Sequence, residues 1–413
     1  MTQSPRLLVG IDWAKDEHTI CILNRDQQVL EERNIAHSGT GLAQFADQLM
    51  QLAAGDPATV AIGIETPRGA VVESLVERGF AVYSLNPKQL DRFRDRHTVA
   101  GAKDDRRDAF VLADALRTDL HLYHRVRLDD PLVIRLRELS RAEEALQHEQ
   151  VRAGHQLCDL LNRYYPQMLK LCPAVDEAWC WDLLEKYPLP STKRSKAKIE
   201  QLLKKHRIRR WDAATVEKIL AEPPLILAPG AAAAAGEHVL LILPLLRLLQ
   251  QQRNTLIERL EMLLDEMSKP GQFSEHRDVN ILRSLPGVGR VVTATMLAEA
   301  AQPLAERDYQ ALRSYGGTAP TTRRSGKSCR TVMRQSCNPR LRNALYHWSR
   351  VSTQHDPRSG EHYAALRAKG HSHGRALRGV ADRLLAVLMA MLNAGTMYDP
   401  ARRQKPPDSE SSL

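Results

Sequence analysis

Aromatic side chains make up only 5% of this 413-residue chain. That scarcity argues against gripping a single nucleic-acid strand through a platform of stacked rings. The six cysteines are scattered at positions 21, 158, 172, 180, 329 and 337, and no C-x-x-C pair occurs. Neither a zinc ribbon nor a disulfide framework is indicated, and reduced intracellular thiols are the simplest account. The N-terminus lacks a basic stretch followed by a long apolar core, so no signal peptide is read. Long hydrophobic runs are missing as well. The strongest, 239 to 246, contains Pro244 and stops at Arg247, too short to span a bilayer. No membrane is expected, and the location expected is cytoplasmic. Charge of one sign is in excess: the net charge is +10, which calls for a polyanionic partner.

The apolar residues that are present fall into short runs. Residues 6 to 12, 18 to 24 and 28 to 35 read as three strands joined by tight polar connections. Helical spacing over 41 to 53 (Leu42, Phe45, Ala46, Leu49) is followed by a fourth strand at 59 to 64 and a helix at 70 to 78. A strand at 80 to 84 and helices at 88 to 95 and 105 to 117 complete the first part. This order predicts an α/β domain with a mixed, ribonuclease H-like sheet over residues 1 to 125. Residues 126 to 275 predict two long helices, at 131 to 165 and 237 to 268, flanking a basic helical insert at 166 to 236; they read either as a coiled-coil hairpin or dimer stalk or as an ordinary two-helix core segment. The first helix carries Leu132, Leu136, Leu139, Leu146, Ala153, Leu157 and Leu160 at heptad spacing, with Glu143 and Gln150 interrupting the seam. Pro244 should kink or start the second. The stretch 228 to 236 reads as a linker. Residues 276 to 398 predict a mainly helical domain, and 399 to 413 a disordered tail.

Asp12 ends one buried strand and Glu65 ends another, while Asp105 and Asp108 lie three apart on one helix face. Singly, each has an ordinary explanation as a cap, loop or surface residue. Delivered together from two strand ends and a helix, the four would repel unless cations neutralised them. Hard divalent ions suit all-oxygen ligands, and paired ions of that kind drive in-line phosphodiester chemistry.

Acid is absent altogether from 313 to 350, a span that holds nine Lys or Arg. Packing positive charge that closely is costly without an anion. Arg323, Arg324, Lys327, Arg330, Arg334, Arg340 and Arg342 are therefore candidate nucleic-acid contacts. So are Lys204, Lys205, Arg209 and Arg210 in the insert, where 193 to 210 carries nine Lys or Arg and one Glu. The turn Leu285-Pro286-Gly287-Val288-Gly289 lies between helical stretches like a helix-hairpin-helix, which makes Gly287 and Gly289 candidates for close approach to a phosphate. Gly326-Lys327-Ser328 is not a phosphate loop, because Thr321 stands where the first Gly is required. Ser325, among arginines, reads either as a loop serine or as a nucleophile on a phosphodiester, with Ser328 in the same loop as the fallback.

These motifs in combination carry a family likeness. Val-Gly-Ile-Asp at 9 to 12, Ile-Glu-Thr-Pro at 64 to 67, Lys-x-Asp-x-x-Asp-Ala at 103 to 109, Leu-Pro-Gly-Val-Gly at 285 to 289, Gly-Thr-Ala-Pro at 317 to 320 and Arg-Ser-Gly-Lys at 324 to 327 belong to it. Over about residues 6 to 395 the chain resembles the DEDD-type transposases of bacterial insertion sequences (insertion sequence family one-hundred-and-ten). Asp104 stands where many relatives have Thr, and the Lys103 and Ala109 frame selects Asp105. The resemblance implies a recombinase in which Asp12, Glu65, Asp105 and Asp108 hold Mg²⁺ and Ser325 forms a phosphoserine link to DNA. It also implies a structured non-coding bridge RNA, donor and target double-stranded DNA, a homo-oligomer (dimer or tetramer) and action at the bacterial nucleoid. Two alternatives are a RuvC-like junction nuclease using water and a non-catalytic RNA-binding scaffold. A sugar-kinase or actin-like ATPase is disfavoured, since Trp13-Ala14 follows Asp12 where such phosphate loops need Gly.

Overall fold

The computed structural model describes residues 4–97, 104–127, 129–269, 276–326 and 328–400. Lys103, Lys327 and the expected tail beyond residue 400 lie outside the described residues. The chain divides into two compact units, Met1–Asp129 and Asp130–Leu413.

The first unit is built on a six-stranded mixed sheet. Its strands are β1 (Leu7–Asp12), β2 (Glu17–Asn24), β3 (Val29–Ala36), β4 (Val60–Ile64), β5 (Ala81–Ser84) and β6 (His124–Arg125), in the order β3-β2-β1-β4-β5-β6. β1, β2 and β3 pair antiparallel, β4 runs parallel to β1, β5 parallel to β4, and β6 antiparallel to β5. This is the ribonuclease H-like sheet expected. β6 was not anticipated, because two residues are too few to show an alternation. Four helices accompany the sheet: α1 (Gly39–Leu52), α2 (Ala70–Glu77), α3 (Pro87–His97) and α4 (Asp105–Asp119).

β1 and β4 are apolar without interruption because both faces of the sheet are covered. Val9, Ile11, Ile62 and Ile64 share a core with Phe45, Leu49, Val71 and Leu75 of α1 and α2. Leu8, Cys21 and Ala61 share the opposite core with Ala109, Leu112 and Leu116 of α4. On that second face Gly10 and Gly63 are register partners. A Cβ on Gly10 would lie 1.8 Å from the Ala109 carbonyl oxygen, and one on Gly63 3.2 Å from that of Leu112. The two glycines form a trough into which α4 settles, backbone on backbone.

The second unit is helical apart from one hairpin. α5 (Pro131–Tyr164) and α10 (Ala231–Met267) are long antiparallel partners, with α6 (Gln167–Leu171), α7 (Ala178–Lys186), α8 (Lys196–Lys205) and α9 (Ala213–Leu220) between them in sequence. α11 (His276–Ser284), α12 (Arg290–Glu299), α13 (Ala301–Ala305) and α14 (Tyr309–Tyr315) come next. Then follow the hairpin β7 (Thr321–Ser325) and β8 (Ser328–Val332), and the helices α15 (Pro339–His355), α16 (Pro357–Ala368) and α17 (His373–Ala394). One core gathers α6 to α9 around the end of the long pair where α5 finishes and α10 starts, including Trp179 and Trp181. A second gathers α11 to α17 around Trp348 at the opposite end of the pair, where α5 starts and α10 finishes.

Three details differ from the sequence reading. α10 begins at Ala231, inside the stretch read as a linker. Five consecutive alanines have the highest helix propensity available, and they prevail over the Pro229-Gly230 signal before them. Pro244 lies within α10 and does not start it. Glu143 does not interrupt the seam but lies buried on it, its Oε1 accepting from Arg253 Nε of α10 at 2.6 Å. Among the described helices α10 is long and apolar enough to cross a membrane by length and composition. Arg247 within it pairs with Asp182 and Glu185, and one stripe of the helix is packed in the core.

Candidate active site

Asp12 is the last residue of β1, and Glu65 follows the last residue of β4. The register pairs Ile11 with Ile64, so the two acids occupy the next rung of neighbouring strands, whose axes lie about 4.8 Å apart. Each follows a trough glycine by two residues, and side chains two apart point to the same face. By this alternation Asp12 faces the side that α4 covers, and Glu65 leaves the sheet one residue beyond β4.

α4 brings the other pair. Ala109, whose carbonyl rests on Gly10, is preceded by Asp108, which is only 2% exposed. Asp105 sits one turn earlier and is exposed. Asp104 serves the backbone instead. It is the N-cap of α4, and its side chain accepts from the Arg106 amide at 3.3 Å. This separates the capping acid from the helix-face acids. Arg106 also pairs with Glu32 of β3 at 3.4 Å, tying the start of α4 across the sheet.

The first two acids stand at neighbouring strand ends and the other two in the first turn of α4, the helix packed on Gly10. Among the described residues, the set whose ligand atoms all lie within 4.8 Å of one another is a different one: Cys172, Asp176 and Glu177. That set is already partnered, since Glu177 pairs with Arg210 and accepts from Trp179 Nε1 at 2.8 Å.

Sequence reasoning overlooked the residues that hold the turn after Asp12. Buried His18 accepts from the Ala14 amide through Nδ1 at 3.3 Å, which leaves Nε2 to donate to His37 Nδ1 at 2.9 Å. Burial, with His37 beside it, lowers the His18 pKa, so the ring is held neutral. Exposed Trp13 stacks on it at 6.3 Å. The only signal in sequence was a histidine inside a strand.

In the second unit Ser325 ends β7 and pairs with Ser328 across a turn in which Gly326 has φ +54°. Arg323 pairs with Arg330. By the two-residue alternation, Ser325, Ser328, Arg323 and Arg330 all point to one face, and all are exposed. Like charges directly opposite across strands are unfavourable unless an anion sits between them.

The other basic candidates divide into two groups. Arg340 is only 17% exposed and pairs with Glu144 and Glu299, so its charge is committed within the fold. Lys205 pairs with Asp182 at 2.7 Å, Lys204 with Glu200 at 3.0 Å, and Arg210 with Glu177. Arg334 Nε reaches the Ala319 carbonyl at 3.4 Å. Arg324 and Arg209 are exposed, and Arg342 is half-buried. In the turn before α12, Gly287 has φ +78°, and a Cβ there would meet Ser352 Oγ at 2.7 Å. That glycine is required for packing on α15, where Pro286 O accepts from Ser352 Oγ and Trp348 Nε1. A Cβ on Gly289 would meet nothing within 4 Å.

Residues 9–166 match a family of DEDD transposases, and residues 279–364 match the family described as Transposase IS116/IS110/IS902. The chain is similar to the mini-circle putative transposase for IS117 of Streptomyces coelicolor, 30% identical over 96% of each protein. It is 43% identical to the putative transposase y4uE of Sinorhizobium fredii over 54% of this chain, spanning 62% of that protein's length. An insertion element IS110 protein of Streptomyces coelicolor is 26% identical over 96% of both.

Proposed function

Because the chain belongs to the IS116/IS110/IS902 family of transposases, we propose that it cuts and rejoins DNA strands through a serine ester, at sites chosen by a structured guide RNA. The acids suit the divalent metal that a DEDD nuclease domain implies. Asp12, Glu65, Asp105 and Asp108 offer oxygen donors only, from adjacent strand ends and one helix turn, which fits Mg²⁺ or Mn²⁺ better than a softer ion. Such ions, when bound, neutralise charge that develops on phosphoryl oxygens.

The observation that carries the reading is Ser325 on the same face as the opposed Arg323 and Arg330. A phosphodiester between those guanidiniums would relieve their repulsion and sit beside the serine hydroxyl. In the step proposed, Ser325 Oγ bonds to phosphorus while the bond from phosphorus to one strand oxygen breaks. The serine gives up its proton, and the departing strand oxygen gains one. The ester conserves the energy of the broken bond, so the hydroxyl of another strand can reverse the step and release the serine.

Guide RNA is supported by charge: a +10 chain with an acid-free stretch suits backbone contacts, while base pairing supplies sequence choice. A homo-oligomer is supported by α10, where Leu241, Leu245 and Leu248 stay exposed, at 75%, 47% and 49%.

The test is denaturant-resistant protein–DNA adduct formation with Mg²⁺, element-end DNA and the RNA that copurifies with the protein. The adduct should vanish in Ser325→Ala and persist in Ser328→Ala. Cleavage unaffected by Ser325→Ala would instead leave a junction nuclease that uses water. Activity intact in Asp105→Asn would leave a scaffold. Sequencing the copurified nucleic acid should return one discrete structured RNA, and bulk cellular RNA would remove the guide.

A further inference from the structure

A cavity of about 260 Å³ lies at the root of the serine-bearing hairpin. The chain leaves its wall at Gly317 and Thr318, runs out along β7 to Ser325, returns along β8, and rejoins the wall at Met333. One five-residue strand spans about 17 Å. Leu345, Leu377 and Ala381 make an apolar part of the lining, and Asn343 and Tyr346 a polar part. Tyr346 is 39% exposed and makes edge contacts with His347 and His373, at 5.4 Å and 6.4 Å between ring centres.

Two half-buried arginines, Arg342 on α15 and Arg378 on α17, line the same cavity. The lining includes no carboxylate, and among the described residues neither guanidinium meets one. The nearest acid on α17, Asp382, is taken up by Arg313 and Thr318. Burial, followed by the charges of Arg375 and Arg342, pulls the Arg378 pKa down, the sign of a cation lacking its anion.

We propose that this cavity takes one unstacked nucleotide of the DNA strand gripped by the hairpin, its base against Tyr346 and the apolar wall and its phosphate against Arg342 and Arg378. The volume is just below that of pockets for drug-sized molecules, which suits a base better than a peptide or a duplex end. The mixture is one that flipped bases use: an aromatic and apolar wall for the ring, an amide that can donate and accept at its edge, and cations for the backbone. The inference rests on the strand-transfer reading for the identity of its ligand.

The test uses the full chain and a twelve-nucleotide oligothymidylate carrying one 5-iododeoxyuridine, with a 5-iodouridine oligouridylate as the RNA arm. After irradiation, peptide mapping should find the DNA crosslink on Tyr346. Yield should fall at least tenfold when Arg342→Ala and Arg378→Ala are combined. It should fall equally in Gly374→Leu, which fills the cavity and keeps both charges. A Cβ on Gly374 meets only Arg378 Nη1, at 3.7 Å, and leucine raises helix propensity, so this variant should keep its fold and melting temperature. Crosslinks confined to residues 321 to 334, an undiminished Tyr346 crosslink in Gly374→Leu, or a Tyr346 crosslink with the RNA probe alone would overturn the proposal. Ser325→Ala should lose the covalent adduct and keep the Tyr346 crosslink, so the two readings fail separately.

Discussion

Replacing one hydrogen of Gly10 by a methyl group would put carbon 1.8 Å from the Ala109 carbonyl oxygen and 2.7 Å from the Ala113 nitrogen. Both are backbone atoms, and neither can retreat unless α4 moves. Gly10→Ala is therefore expected to destabilise the first unit by about 3 kcal/mol or more, at the upper end for overpacking. Chemical denaturation should read this as a lower midpoint at unchanged slope, and a loss under about 0.5 kcal/mol would contradict it. Much at this scale was legible beforehand. Asp12 and Glu65 stood at the ends of unbroken apolar runs, and three-residue spacing put Asp105 with Asp108. The helical environment then assigned Asp104 to the cap. The His18–His37 pair was not legible, because it depends on strand register and on a main-chain donor from a turn. The commitment of Arg340 to Glu144 and Glu299 was equally hidden, since those acids are far away in sequence.

At the scale of elements, α7, α8 and α10 are joined through Asp182. Burial alone would raise the pKa of its carboxyl. Hydrogen bonds from Lys205, His206 and Arg247, with the Arg247 charge, outweigh that and hold it below the usual carboxylate range. A carboxyl with a depressed folded pKa stabilises the fold above its unfolded value and loses that contribution as pH falls through the folded one. Asp182→Asn should thus be less stable than the native chain at pH 7, by about 1–3 kcal/mol for hydrogen bonds to a charged group. The gap should narrow once the pH drops below about 4, the ordinary aspartate value. Melting curves across that range would show it, and a gap constant down to about pH 2 would rule the clamp out. The exposed stripe on α10 gives a second expectation at this scale. Leu241→Glu with Leu245→Glu should lower the solution mass measured by light scattering and leave the helix content unchanged. An unchanged mass would remove that stripe from the oligomer interface. The boundaries of α1 to α5 were readable from periodicity, but the alanine-rich start of α10 was masked by the proline and glycine before it.

Over the whole molecule, the net charge of +10 says that nucleic-acid affinity should weaken steeply with salt. Arg323→Ala and Arg330→Ala, each tested in the full chain, should reduce the slope of log affinity against log salt by about 1 apiece. Arg340→Ala should leave that slope alone and lower thermal stability instead, because it strips a buried Glu299 of one partner. Fluorescence anisotropy at several salt concentrations separates the two outcomes. The mixed sheet and the two long helices were foreseeable from the order of apolar runs. The cavity between α15 and α17 was not, because its lining is drawn from stretches spread over 316 to 381.

Most helices rest on a sheet through an interlocking layer of side chains, which acts as a cushion and lets the two slide by fractions of an ångström. At Gly10 that cushion is missing, and main chain bears directly on main chain. The spacing between the main chain of β1 and that of α4 is consequently set by peptide geometry. Changes along the solvent side of that helix should leave the spacing alone, whereas anything that lifts the helix by the width of a methyl group moves Asp105 and Asp108 away from the strand ends.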